Sequence, residues 1–152
     1  MNPYKIEPPF YVSFSGGRTS GFLLRKIIDA HGGKLPKNGF CLFANTGKEH
    51  QATYDFINKI EANWCEVVWL EYTDQKPNFL VVKSETSSRK GEPFALLIAK
   101  KQFLPRPLAR FCTQDLKVAV MQKFMKSKNL TEWETAIGLR HDEPRRVASV
   151  RA

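Results

Sequence analysis

A glycine-rich turn near the start of the chain carries the residue types that hold phosphate groups. Residues 13–21 read SFSGGRTSG, and they lie between the apolar stretch FYV at 10–12 and FLLRKII at 22–28, which has helical spacing. Gly16 and Gly17 can adopt positive φ and let a ligand approach the backbone closely. The N–H groups and positive dipole end of the following helix point at the same place. The turn therefore predicts a phosphate cradle.

The side chains of the same turn favour this interpretation. Three hydroxyl groups and one guanidinium surround the glycine pair, contributed by Ser15, Arg18, Thr19 and Ser20. The alternative is a glycine turn that serves packing alone. The turn matches neither GxxxxGK[ST] nor GxGxxG, which argues against a Walker A loop and a dinucleotide-binding fingerprint.

Two further polar stretches also follow predicted strands. NTGKE at 45–49 closes the apolar run at 39–45, and RHDEPRR at 140–146 follows WETAIGL at 133–139. In a parallel sheet, ligands bind beyond the carboxyl ends of the strands, where the strand order reverses. We therefore expect all three polar motifs to project from one edge of the sheet.

Strands that alternate with helices indicate an α/β fold. The pattern predicts a single three-layer domain over 1–152, with a mostly parallel twisted sheet of about five strands and helices on both faces. The predicted strands are 10–15, 39–45, 65–72, 79–83 and 133–139. The predicted helices are 18–31, 50–62, 93–98 and 115–128.

Composition narrows the class of protein. The 152 residues are 42% hydrophobic, enough for one core, and no apolar run approaches the roughly 20 residues of a membrane span. The N-terminus lacks the features of a signal peptide. Three cysteines without a CxxC motif argue against a disulfide scaffold or a zinc knuckle. These features predict a cytoplasmic protein without a membrane partner.

The positive charge is concentrated in the middle of the chain. Residues 83–128 hold 11 basic and 3 acidic side chains, which accounts for most of the net charge of +9. This segment predicts a polyanionic partner, which is a nucleotide, and leaves weak binding of a nucleic acid as an open option. The alternative is a solvated basic face.

The glycine turn resembles the SGGxxS loop of the PP-loop superfamily, the adenine nucleotide α-hydrolases that cleave between the α- and β-phosphates of ATP. Within it, the match is closest to the phosphoadenosine phosphosulfate (PAPS) reductase family. The resemblance covers roughly residues 11–151. FANTGKEHQATYDF at 43–56, the block at 91–117 and IGLRHDEPRR at 137–146 are similar to the family's second, middle and final motifs.

The resemblance implies roles for residues in each motif. The implied nucleotide-binding residues are Ser15, Gly16, Gly17, Arg18, Thr19, Ser20, Thr46, Gly47, Glu49, Gly138, Arg140, Glu143 and Arg146. The implied catalytic residues, in contact with the anionic substrate, are Arg110 and Lys117, with Cys112 as an open candidate. Glu49 could instead be a carboxylate that favours the start of a helix, Cys112 could be a buried packing residue, and the last motif could be a solvated tail.

The implied substrate is ATP or PAPS, with Mg²⁺ as the accompanying ion and no metal assigned to protein ligands. Three cysteines cannot build a four-cysteine iron–sulfur cluster. The chain departs from the family in two places, since Arg18-Thr19 stands where many PP-loops have Lys-Asp, and the Glu-Cys-Gly-rich motif of true reductases is missing. We therefore expect ATP pyrophosphatase chemistry on an unidentified acceptor.

Two alternatives remain open. The first is a PAPS or APS reductase that takes its cysteine from outside this chain. The second is a nucleotide- or nucleic-acid-binding module without turnover. The sequence predicts no oligomeric state.

Overall fold

The structure is a computed structural model that describes residues 2–101 and 114–138. Its centre is a five-stranded sheet in the order β4-β3-β2-β1-β5. The strands are β1 (Phe10–Ser13), β2 (Gly39–Asn45), β3 (Val68–Tyr72), β4 (Phe79–Val82) and β5 (Glu134–Ile137).

Strand β1 lies between two parallel neighbours. It pairs with β2 on one side and with β5 on the other, and β2 pairs in parallel with β3. Strand β4 runs antiparallel to β3, because the connection at 73–78 is too short for a parallel crossover. The strand order reverses direction between β1 and β5, so this boundary is the switch point where ligands bind in open α/β sheets.

Four α-helices cover the sheet. They are α1 (Arg18–Ala30), α2 (Gln51–Asn63), α3 (Glu92–Lys101) and α4 (Ala119–Ser127). A π-helical turn, Gln114–Val118, leads directly into α4, and a short 3-10 turn lies at Ser84–Thr86. Helix α1 ends at the C-cap His31, where Gly32 and Gly33 follow with positive φ.

The two faces of the sheet form separate cores. On one face, α1 and α2 pack Leu24, Ile27 and Ile57 against alternate strand residues such as Phe43 and Trp69. On the other face, α3, the π-turn and α4 pack Leu97, Leu116, Val120 and Phe124 against Leu42 and Leu70. The central strands β1, β2 and β3 alternate between the two cores, as a sheet covered on both sides requires.

The structure confirms the predicted fold class, a three-layer α/β domain with a mostly parallel sheet. Strand β2 matches its predicted bounds, whereas β1 and β5 end two residues earlier than predicted and β3 begins three residues later. The predicted helix at 115–128 has a wide π-turn at its start. None of the helices at 2–101 and 114–138 is long and apolar enough to cross a membrane.

Candidate functional site

The glycine turn lies between β1 and α1, at the carboxyl edge of the sheet. We call residues 15–20 the first loop. Gly16 has φ +81°, and a Cβ there would lie 2.5 Å from Thr53 Cγ2, so α2 leaves no room for a side chain. Gly17 is the N-cap of α1, it is exposed, and a Cβ there would contact only Ser15 Oγ at 3.5 Å. Packing therefore requires a glycine at position 16, but it does not require one at position 17.

The hydroxyl groups of the first loop divide into an internal and an exposed set. Ser20 is buried, and its Oγ accepts a hydrogen bond from the Ser15 backbone N–H at 3.2 Å and donates one to the Gly17 carbonyl at 3.2 Å. The Ser15 hydroxyl, 3.0 Å from Ser20 Oγ, belongs to an exposed residue, and Arg18 is also exposed. Ser20 thus shapes the loop, while Ser15 and Arg18 present polar groups to solvent.

The start of α1 is open to an anion. No side chain caps it, and its first turn contains no acidic residue. The helix therefore directs the positive end of its dipole at the first loop without an internal counter-charge. Gly138, which follows β5, approaches this helix start closely, because a Cβ there would lie 3.2 Å from the Ser20 backbone N. The residue after β5 thus packs closely against the first turn of α1.

A second loop, residues 45–50, follows β2 on the same edge. Asn45 is fully buried and makes the four hydrogen bonds that a side-chain amide can make. Its Nδ2 donates to Glu71 Oε2 at 2.7 Å and to the Ser88 carbonyl at 2.9 Å. Its Oδ1 accepts from the Gly47 N–H at 3.0 Å and from the Tyr54 hydroxyl at 2.7 Å. This amide ties β2, β3, α2 and the segment before α3 together.

The other residues of the second loop are also held by protein contacts. Gly47 has φ +81°, and a Cβ there would lie 2.7 Å from the Gly91 backbone N. Thr46 Oγ1 lies 3.5 Å from Glu49 Oε1, a long contact, and it accepts from the Lys48 N–H at 3.3 Å. The second loop thus supports the edge by backbone contact with the start of α3.

A buried carboxylate that the sequence analysis did not single out lies beside Asn45. Glu71 accepts three hydrogen bonds, from Asn45 and from the N–H and hydroxyl of Ser88, at 2.7–2.8 Å. The Arg89 guanidinium stacks 3.7 Å above the ring of Tyr54. Burial is the main reason that the pKa of Tyr54 is raised. An acidic residue inside the apolar run VWLEY is the signal that could have pointed to this cluster.

The remaining predicted site residues divide by position. Lys117 lies in the π-turn, which packs against α3, β2 and β3. Gly138 lies beside the first loop, where a Cβ would come within 3.3 Å of the backbone of Thr19, which is half-buried. The other five fall outside the residues that the structure describes: Arg110, Cys112, Arg140, Glu143 and Arg146. Within residues 2–101 and 114–138, no group of three or more His, Cys, Asp or Glu side chains is arranged to hold a metal ion.

Two grooves formed by described residues lie away from the predicted site. One, of about 390 Å³, opens at the amino edge of the sheet between the starts of β2 and β3. The other, of about 330 Å³, lies between the end of α2, β3 and β4. Neither is lined by a residue of the first or second loop.

The chain is similar to a phage protein. No family model matches the chain. The uncharacterized nin region protein ORF290 of Escherichia phage lambda is 32% identical over 149 residues, which take in 90% of this chain and 49% of the phage protein. The chain therefore spans about half the length of the curated relative that it matches.

Proposed function

We propose that this chain is a PP-loop protein of the PAPS reductase type that binds an adenine nucleotide at the first loop and acts on its α-phosphate side. The observation that carries the proposal is the uncapped start of α1 at the switch point, with Gly17 exposed beside it and no acidic residue in its first turn. Helix starts of this kind bind phosphate through backbone N–H groups.

The favoured reaction is adenylylation of an acceptor with release of pyrophosphate. The backbone at Gly17 and the exposed Ser15 and Arg18 would hold the leaving pyrophosphate. Arg18 is suited to this role because a guanidinium binds phosphate oxygens in a bidentate way. Catalysis would come mainly from positioning and charge stabilisation.

Mg²⁺ fits this site as an ion held chiefly by the nucleotide. Mg²⁺ usually keeps several waters and binds through substrate phosphates and one or two carboxylates. The carboxylate available in the second loop is Glu49, whose contact with Thr46 is long enough to be exchanged. When bound, the ion would offset the charge of the leaving pyrophosphate.

Product analysis tests this proposal directly. The chain is incubated with Mg²⁺ and either ATP or PAPS, and the products are separated. AMP and pyrophosphate from ATP support cleavage at the α-phosphate, whereas ADP and phosphate contradict it. Sulfite and adenosine bisphosphate from PAPS, formed in the presence of thioredoxin, would replace the pyrophosphatase by the reductase.

Binding gives a second test that does not require the acceptor. Arg18→Ala should weaken ATP binding about tenfold, or about 1.4 kcal/mol, by calorimetry. Lys26→Ala is the matched control, because Lys26 is an exposed cation two turns further along the same helix. An equal loss of ATP affinity in the two variants would show that the affinity depends only on the total positive charge of α1.

A further inference from the structure

A pair of cysteines lines the groove at the amino edge of the sheet, opposite the first and second loops. We call this groove the thiol groove; it has a volume of about 390 Å³. Cys41 lies in β2, and Cys65 lies just after α2. Both are free thiols. They lie 24 positions apart in the chain. The fold of the β2–α2 unit brings them together.

The two thiols differ in exposure and in the direction of their pKa shifts. Cys41 is 1% exposed, and burial is the main reason that its pKa is raised well above the usual value. Cys65 is half-buried, and a hydrogen bond with the Cys41 thiol is the main reason that its pKa is lowered. The pair thus consists of a half-buried cysteine whose pKa is lowered and a buried cysteine whose pKa is raised.

The charged groups around the pair come from three segments. Glu61 of α2 and Glu66, next to Cys65, oppose thiolate formation. Lys34 and Lys37, from the segment before β2, line the same groove with positive charge. The hydrogen bond from Cys41 outweighs these opposing effects, so the pKa of Cys65 is lowered.

We propose that Cys41 and Cys65 form a redox-active thiol pair, which a small peroxide entering the thiol groove converts to a disulfide. The Cys65 thiolate attacks one peroxide oxygen, the O–O bond breaks, and hydroxide leaves. Cys41 then attacks the sulfur of the Cys65 sulfenic acid, its proton leaves with the hydroxyl as water, and the S–S bond forms. In sum, two thiols and one hydrogen peroxide give one disulfide and two waters.

The geometry suits a reversible modification. Cys41 and Cys65 line the same groove, and Cys65 packs against the core cluster that contains Cys41. A partly exposed cysteine next to a resolving cysteine stops oxidation at the disulfide, where a thiol reductant can reverse it. The disulfide would join the start of β2 to the end of α2. The chemistry is independent of nucleotide binding at the opposite edge, so failure of one proposal leaves the other standing.

The test uses the full chain with Cys112→Ser, so that Cys41 and Cys65 are the two remaining thiols. One equivalent of hydrogen peroxide should remove both thiols and lower the intact mass by about 2 Da. Peptide mapping should then find Cys41 joined to Cys65, and dithiothreitol should restore both. Sulfinic acid on Cys65 without a disulfide, or no reaction in the folded chain, would overturn the proposal.

Single variants separate attack from resolution. With Cys41→Ala, Cys65 should form a sulfenic acid that dimedone traps, and alkylation by iodoacetamide at pH 7 should be several-fold slower because the hydrogen bond is lost. With Cys65→Ser, the buried Cys41 should resist peroxide. Oxidation of that variant at the rate of the parent would mean that Cys41 is attacked first and would contradict the proposed order. Oxidation of the Cys112→Ser chain, with both Cys41 and Cys65 present, decides the proposal even if Cys41→Ala does not fold.

Discussion

The first and second loops occupy equivalent places after neighbouring parallel strands. They differ in how far their polar groups are hydrogen-bonded within the protein. In the second loop, the side-chain amide of Asn45 makes all four of its hydrogen bonds to other groups of the protein. His50 Nδ1 accepts a hydrogen bond from the Ala52 N–H and so caps the start of α2. The first loop leaves the start of α1 without a side-chain cap. The two loops hold equivalent positions in the fold but differ in their hydrogen bonds, and this difference is the reason that we propose the first loop as the anion site.

The two loops therefore have different expected roles. Thr46, Gly47 and Glu49 lie in a loop whose contacts are mostly structural. Ser15, Gly17 and Arg18 lie in a loop with exposed polar groups. We therefore expect changes in the second loop to reduce stability most and changes in the first loop to reduce ligand binding most.

The largest effect is expected from Asn45→Asp, which changes one amide nitrogen into an oxygen. The new carboxylate would face Glu71 Oε2, which now accepts a hydrogen bond at 2.7 Å. At pH 7 two buried carboxylates would repel each other, and we expect a loss of about 3–5 kcal/mol in the free energy of unfolding. Urea denaturation measures this loss.

The pH dependence of that loss identifies its cause. Repulsion raises the folded-state pKa of the carboxylate pair above the unfolded values of about 4. The variant should therefore recover stability as pH falls toward 4 and lose it as pH rises through the folded pKa. Asn58→Asp, at an exposed position on α2, is the matched control and should show no comparable loss. A loss independent of pH would point to altered packing.

The second prediction compares glycines of the two loops. Gly47→Ala places a Cβ at positive φ and 2.7 Å from the backbone of Gly91, so we expect a loss of about 3 kcal/mol. Gly17→Ala has negative φ and meets only Ser15 Oγ at 3.5 Å, so its loss should be about 1 kcal/mol or less. Thermal unfolding of both variants measures the difference. Equal losses would show that the second loop is no more rigid than the first.

The third prediction moves from stability to binding. Because an anion at the start of α1 would approach the Gly17 backbone, the methyl group of Gly17→Ala should weaken ATP binding about tenfold, or about 1.4 kcal/mol. Lys48→Ala removes an exposed cation from the second loop and should change the affinity less than twofold. Calorimetry on the two folded variants decides between the loops. A larger effect at Lys48 would place the nucleotide on the second loop instead.

Local signals in the sequence were sufficient for much of the fold. The run GFCLFAN predicts the bounds of β2. The spacing of Leu23, Leu24, Ile27 and Ile28 predicts the core-facing side of α1, where Leu23 is only partly buried. The antiparallel direction of β4 depends on the short turn that ends at Asn78, with φ +72°. The composition of residues 79–83, FLVVK, does not by itself determine the direction of β4.

The site was less predictable, because its contacts join distant segments. The glycine pair was found from its local sequence, but the burial of Ser20 and the clash at Gly16 depend on how α1 and α2 pack. The bond from Asn45 to Glu71 and the contact of Cys41 with Cys65 require the register of β2 against its neighbours. No spacing rule in the sequence gives these pairs.

The smallest effect on nucleotide binding is expected from three lysines near the end of the basic segment, residues 83–128. Lys123, Lys126 and Lys128 lie on or just after α4, which packs against β2, β3 and β4 on the face opposite α1. If the first loop holds the anion, changing all three to glutamine should alter ATP affinity less than twofold, or about 0.4 kcal/mol.

Nucleic acid would engage these lysines collectively instead. Its affinity would fall steeply with salt, with a slope of about 0.9 in log–log units for each DNA phosphate neutralised. Phe124 is buried in the core, so it offers no stacking surface for a single strand. We therefore expect DNA and tRNA to bind with affinities of about micromolar or weaker near physiological ionic strength. Submicromolar binding that the triple glutamine variant abolishes would make the basic segment the principal anion site, and would move the substrate from a free nucleotide to a nucleic acid.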